Sequence, residues 1–94
     1  MYLNKVVYSG RLVRTPEVHQ SSRNKLVQFY LRQERSCGKD CVEDIFLLCE
    51  AWKTYAEDIA RNYKEGETMQ IEGYLRPYQD KNILMVEKYE KVKN

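Results

Sequence analysis

Glycine is scarce and scattered in this 94-residue chain: the four glycines stand at positions 10, 38, 66 and 73, so no glycine-rich phosphate loop can form. Histidine occurs once, at His19, with no evident nucleophile beside it, and no carboxylate pair sits where acid–base work would need one. Catalysis is therefore not expected. No apolar stretch approaches the length of a membrane span, the run Ile45 to Leu48 being strand-sized. The start MYLNKVV lacks the hydrophobic region of a signal peptide, which makes the cytoplasm the default compartment. Cysteine is odd in number, with three residues. Cys49 lies in an apolar strand, where a buried thiol is ordinary. Cys37 and Cys41, in SCGKDC, allow half a zinc site or a redox pair. The spacing is wide for CxxC, no second pair follows and His19 is remote, so neither metal nor cofactor is expected.

What is present fits one small soluble domain spanning residues 1–94, with 43% hydrophobic and 32% charged residues. The net charge is only +2, but it is unevenly spread. Residues 1–35 hold seven basic residues against two acidic, whereas residues 36–66 hold four against seven. The first third is the electropositive part, as a polyanion-binding surface requires, although a solvated mixed-charge surface fits the same count.

Periodicity supplies the elements. Residues 4–13, 25–33, 44–51, 67–78 and 83–92 carry the β-branched and aromatic content or the alternation of strands, with turn signals at Pro16, residues 21–24 and residues 79–82. Residues 34–43 read as a polar loop. Between the third and fourth strands, Trp52, Tyr55, Ile59 and Tyr63 follow helical spacing, with Ala56 and Ala60 on the same side. Thr54 and Glu57 suggest a capping box, and Gly66 a left-handed stop. The order β-β-β-α-β-β predicts a mostly β protein: a five-stranded OB-fold barrel with one helix between strands three and four. A meander sheet with a packed helix is the alternative.

The outward-facing sets are unusual for a passive surface. Tyr30 and Arg32 on the second strand, Phe46 and Trp52 on the third, and Tyr74, Arg76 and Tyr78 on the fourth place rings among cations. Single-stranded nucleic acid needs that combination, because flat base faces stack on aromatic rings while arginine and lysine contact phosphates. Tyr30, Phe46, Trp52, Tyr74 and Tyr78 are the candidate stacking rings, and Arg11, Arg32, Lys53 and Arg76 the candidate phosphate contacts. Plainer roles stand beside these. Trp52 opens the helical stripe and fits helix–barrel packing equally well, Tyr30 and Tyr74 fit cross-strand pairs, and Phe46 fits a subunit interface. Tyr55 and Tyr63 fit the helix core, and Tyr89 an edge or interface.

These residues bring a family into view. The segments Asn4-Lys5-Val6-Val7, Gly10-Arg11-Leu12 to Thr15-Pro16-Glu17-Val18, Leu26 to Leu31, Phe46 to Trp52 through Ala56-Glu57 to Gly66, and Ile71-Glu72-Gly73-Tyr74-Leu75-Arg76 resemble the bacterial single-stranded DNA-binding protein (SSB) family. The resemblance spans most of the chain, and its strand–helix segment with the EGxL that follows is the specific part. It implies an OB fold that binds single-stranded DNA, self-associates as a dimer or tetramer, and serves replication, recombination and repair in the bacterial cytoplasm. It places the family's stacking rings on Phe46 and Trp52, and a basic residue on Arg76. Three departures stand out. Cys37 occupies the place of an aromatic after the second strand. The loop between the last two strands is cut to residues 79–82, leaving Tyr78 as the candidate replacement for its ring. The sequence also ends at Asn94 without the family's glycine-rich tail and acidic tip, so the docking site for replication and repair proteins is expected to be missing. A trimmed domain, or a tailless relative like the primosomal PriB proteins, accounts for that. A protein-interaction OB module with weak nucleic-acid binding is thus the alternative function, and RNA the alternative ligand.

Overall fold

Strands that alternate apolar and polar residues must hide one face, and five of them here do so by closing on one another. The computed structural model describes residues 1–93, with strands β1 (Val6–Leu12), β2 (His19–Ser21), β3 (Asn24–Gly38), β4 (Cys41–Trp52), β5 (Thr68–Tyr78) and β6 (Lys81–Val92) and one helix, α1 (Thr54–Asn62), between β4 and β5. The sheet runs β1-β5-β6-β4-β3-β2, and β1 also pairs with β3 through Arg11–Arg32 and Leu12–Leu31, which closes the ring. The β4–β6 seam is parallel, joining Cys49 to Leu84 and Glu50 to Met85; the other ladders are antiparallel. This is the barrel expected from the sequence, with β2 as a short sixth strand on the edge of β3. Among the described residues no helix is long and apolar enough to cross a bilayer.

The interior is filled by the inward sets of the strands and by the helix. Leu12, Val27, Phe29, Leu31, Cys49, Ala51, Met69, Ile71, Leu84 and Val86 form one cluster with Ala56, Ile59 and Tyr63. Helix α1 contacts β3 and β4. Burial pushes the Cys49 thiol far up, so it stays protonated and inert. Tyr89, expected at an edge, instead ties β6 to the helix. Its ring meets Tyr55 and Tyr63 edge-on at 5.6 and 6.1 Å, and its hydroxyl donates to the Asp58 carboxylate at 2.6 Å. Burial and that bond both push the Tyr89 phenol up.

Three local expectations are corrected. Thr54 is the first helical residue and not the cap. Lys53 takes the cap position with φ 58°, turning β4 sharply into the helix, and no side chain caps the helix. The Lys53 N–H donates to the Lys25 carbonyl at 2.8 Å, so tertiary pairing fixes this end of the helix where a capping box was expected. Gly66 does adopt φ 88°, but in a turn beyond the helix, which ends through an extended Tyr63. The polar loop at residues 34–43 is no loop. β3 and β4 run on as a two-stranded ribbon through Glu34–Asp44, Arg35–Glu43 and Ser36–Val42, turn over Lys39–Asp40, and are bridged by a Cys37–Cys41 disulfide. Polar alternation without an apolar face looked like loop because nothing in it needs a core.

Candidate nucleic-acid interface

Residues directly opposite on paired strands share a face. The β3–β4 register opposes Leu26 with Trp52, Gln28 with Glu50, Tyr30 with Leu48 and Arg32 with Phe46. Because Val27, Phe29, Leu31, Cys49 and Ala51 point inward, all eight of these residues lie on the outside. The face continues across the parallel seam: Met85 pairs with Glu50, Tyr74 with Met85, and Arg76 with Ile83. Ile83 and Met85 alternate with the core residues Leu84 and Val86, so they sit on this outer side, yet they are buried. They make an apolar floor.

On this face Phe46, Tyr30 and Tyr74 are open to solvent at 53%, 41% and 36%, enough ring surface for a base to cover. Tyr78, half-buried, faces Lys81 across the last hairpin. Tyr30, Leu48, Tyr78 and Lys81 line one open groove of about 340 Å³ together with His19, Gln28 and Gln79. A larger groove of about 750 Å³ adjoins it through His19, Gln28 and Tyr30 and runs on past Arg14 to Glu65. Trp52 is half-buried and ends β4, six residues from Phe46, or about 20 Å along the strand. It therefore shares the face without sharing a patch with Phe46.

A buried carboxylate holds Trp52. The Trp52 indole donates to Glu50 Oε1 at 2.6 Å, and the Gln28 amide donates to Oε2 at 2.7 Å. Glu50 is 5% exposed, so these two bonds matter. Glu50→Ala leaves both donors without their acceptor, and the expected cost is about 1–3 kcal/mol. It should appear as a lower urea midpoint with a shifted tryptophan emission; an unchanged midpoint would mean that the network does not form in solution.

The candidate cations differ in what already neutralises them. Arg32, beside Phe46, reaches Glu34 at 2.9 Å and Asp44 at 3.0 Å, so two carboxylates offset it. Arg11 stands opposite Arg32 across the β1–β3 closure. Among the described residues the side chains of Arg11, Lys53 and Arg76 have no ion-pair or hydrogen-bond partner, nor do those of Arg14 and Lys81. The structure thus brings Tyr30, Arg32, Arg11 and Phe46 together, sets Tyr74, Arg76 and Tyr78 across the floor from them, and leaves Trp52 and Lys53 at the far end of β4.

Sequence reasoning missed the apolar floor, Lys81 and the Arg14 groove. The floor had a signal: Ile83-Leu84-Met85-Val86 is four apolar residues in a row, which a strand covered on one face does not need. Lys81 and Arg14 had none, because only the β5–β6 register sets Lys81 opposite Tyr78 and only the folded groove brings Arg14 near Tyr30.

Similarity to known proteins bears on the family and the fold. A model of the Single-strand binding protein family matches residues 3–91. The single-stranded DNA-binding protein of Staphylococcus epidermidis is 29% identical over 76 residues, covering 79% of this chain and 58% of that protein. Single-stranded DNA-binding protein 1 of Lactococcus lactis is 31% identical over 78 residues, covering 79% of this chain and 51% of that protein. The chain thus spans somewhat over half the length of these relatives. The crystal structure of the wild-type single-stranded DNA binding protein from Thermus aquaticus superposes with a TM-score of 0.81 at 20% identity, over 98% of this chain and 41% of that one, a likeness of fold.

Proposed function

This chain belongs to the single-strand binding protein family, and from that premise we propose that it binds single-stranded DNA with little sequence preference, as a binding protein and not an enzyme. The observation that carries the reading is the outer face of β3, β4, β6 and β5, where the exposed rings of Tyr30, Phe46 and Tyr74 share a side with the buried Ile83 and Met85 and with Arg76 and Lys81, which no carboxylate holds among the described residues. Bases unstacked from a duplex present flat faces that water solvates poorly, and rings cover them. Arg11, Lys53 and Arg76 displace counterions from the phosphates, with Tyr78 and Trp52 extending the stacking surface at either end. Neither contribution distinguishes one base from another.

Salt tests the electrostatic half. If three phosphates are neutralised, each contributing a slope of about 0.7 for a single strand, affinity for a dT oligomer falls about 20-fold between roughly 50 and 200 mM salt. A flat response would reject it. Sizing the complexes on oligomers of increasing length reports site size and the dimer or tetramer expected of a homo-oligomer, and competition with matched RNA reports the choice of sugar. Service in replication, recombination and repair belongs to the same reading.

A second reading, a protein-interaction module of the primosomal kind, is favoured by one observation: Arg32, the cation nearest Phe46, is already paired with Glu34 and Asp44. Titrating the fluorescence of Trp52, the single tryptophan, with dT oligomers separates the two. Quenching at low salt supports DNA; an unchanged signal, with no shift in sizing, supports the module.

A further inference from the structure

We propose that Cys37 and Cys41 form a reversible thiol–disulfide site, exchanging with small thiols and disulfides, whose oxidation state sets whether the outer β3–β4 ribbon is ordered. The register places the site. The ladder shifts between Ser36 and Gly38, which leaves Cys37 as the extra residue of a bulge and turns it toward Cys41, with their Cα atoms 5.2 Å apart. Cys41 is exposed and Cys37 half-buried, so an attacking thiol can reach the bridge. Cys49, the third cysteine, is wholly buried in the barrel and cannot take part.

Two features make the bridge both labile and consequential. It closes a loop of only five residues, so cross-linking stabilises it less than it would a long loop, and exposed disulfides are the readily reduced ones. The ribbon it closes has no core of its own. Residues 34–44 are exposed apart from Cys37, and a two-stranded hairpin without a buried face is marginal in water. Besides its ladder and the Arg32–Asp44 pair at its root, the ribbon has among the described residues one cross-strand ion pair, Arg35–Glu43 at 3.3 Å. Such a surface pair contributes little. The bridge is thus the main tie at the tip of the strands that carry Arg32 and Phe46 nearer their root.

The chemistry balances with a small thiol as reductant. Its thiolate attacks the exposed Cys41 sulfur, the protein S–S bond breaks, and Cys37 leaves with the electron pair and takes a proton from water. A second thiol attacks the outer sulfur of the mixed disulfide, releasing Cys41 as a thiol and the two small molecules as their disulfide. The reverse reaction uses that small disulfide as oxidant.

The test uses the full chain equilibrated in glutathione mixtures from reduced to oxidised, with alkylation and mass spectrometry, and amide hydrogen exchange on the same samples. The expected result is a two-thiol transition within that series, Cys49 unchanged throughout, and amides of residues 34–43 exchanging about tenfold faster in the dithiol form while those of β5 and β6 are unaffected. The double variant Cys37→Ser/Cys41→Ser should exchange fast in every mixture. A bridge that survives the most reducing mixture overturns the proposal, as do two separate glutathione adducts at the oxidising end. Equal protection of the ribbon in both forms, or slow exchange in the double variant, overturns it as well.

Discussion

Replacing Phe46 with alanine is expected to lower affinity for a dT oligomer by about 5- to 150-fold, the equivalent of one lost stacked base at roughly 1–3 kcal/mol. The thermal midpoint should barely move. Phe46 is 53% exposed and lies outside the buried cluster, so its removal opens no cavity. That separation makes it the decisive position. Trp52→Ala is expected to weaken binding too, but it also removes the donor to Glu50 Oε1 and so lowers stability. Affinity measured at fixed low salt, beside melting curves for both variants, checks this. If binding survives both substitutions unimpaired, the rings are not a stacking surface and the interaction-module reading takes their place.

The largest expected effect on stability comes from a residue with no side chain. Gly73 sits at the shift in the β5–β6 ladder, where a Cβ would run into the Met85 carbonyl. The obstacle is backbone in a closed ring and cannot rotate away. Gly73→Ala should therefore cost at least about 3 kcal/mol, beyond the usual range for one added methyl. For a domain of this size that lowers Tm by about 12–24 °C. Gly10→Ala should cost less: its Cβ would approach the Arg32 carbonyl to 2.9 Å at the β1–β3 closure, where a smaller shift relieves it. Differential scanning calorimetry of the two variants gives the comparison. A Gly73→Ala protein that melts with the parent would mean that β5 and β6 do not approach this closely.

Both predictions concern residues the sequence marks differently. Phe46 is legible from the sequence because alternation in residues 44–51 puts it opposite to Cys49 and Ala51, and an exposed ring next to arginine-bearing strands is informative by residue type. Gly73 is legible only as an inward position. Its contact with the Met85 backbone depends on a ladder shift that no local pattern encodes. Trp52 shows the same limit. Helical spacing and strand alternation both claim it, and what settles it as the last residue of β4 is the Lys53 turn, made by a backbone bond to Lys25 far away in sequence.

By itself the sequence determined the barrel portions of the five long strands, the presence of the helix and the inward sets, because period-two and helical apolar spacing are local consequences of where side chains point along a backbone. It did not mark the coreless ribbon at residues 34–43 as strand. It also determined which residues are chemically able to meet bases and phosphates. The tertiary structure alone decided who stands beside whom. The parallel β4–β6 seam sets Tyr74 and Arg76 across a buried floor from Tyr30 and Phe46, the β1–β3 closure lays Arg11 beside Arg32, and the ribbon register turns Cys37 toward Cys41. Those are partnerships between segments distant in the chain. Their register is fixed by the shared core and by ring closure, and a strand's own pattern constrains it only to one face or the other.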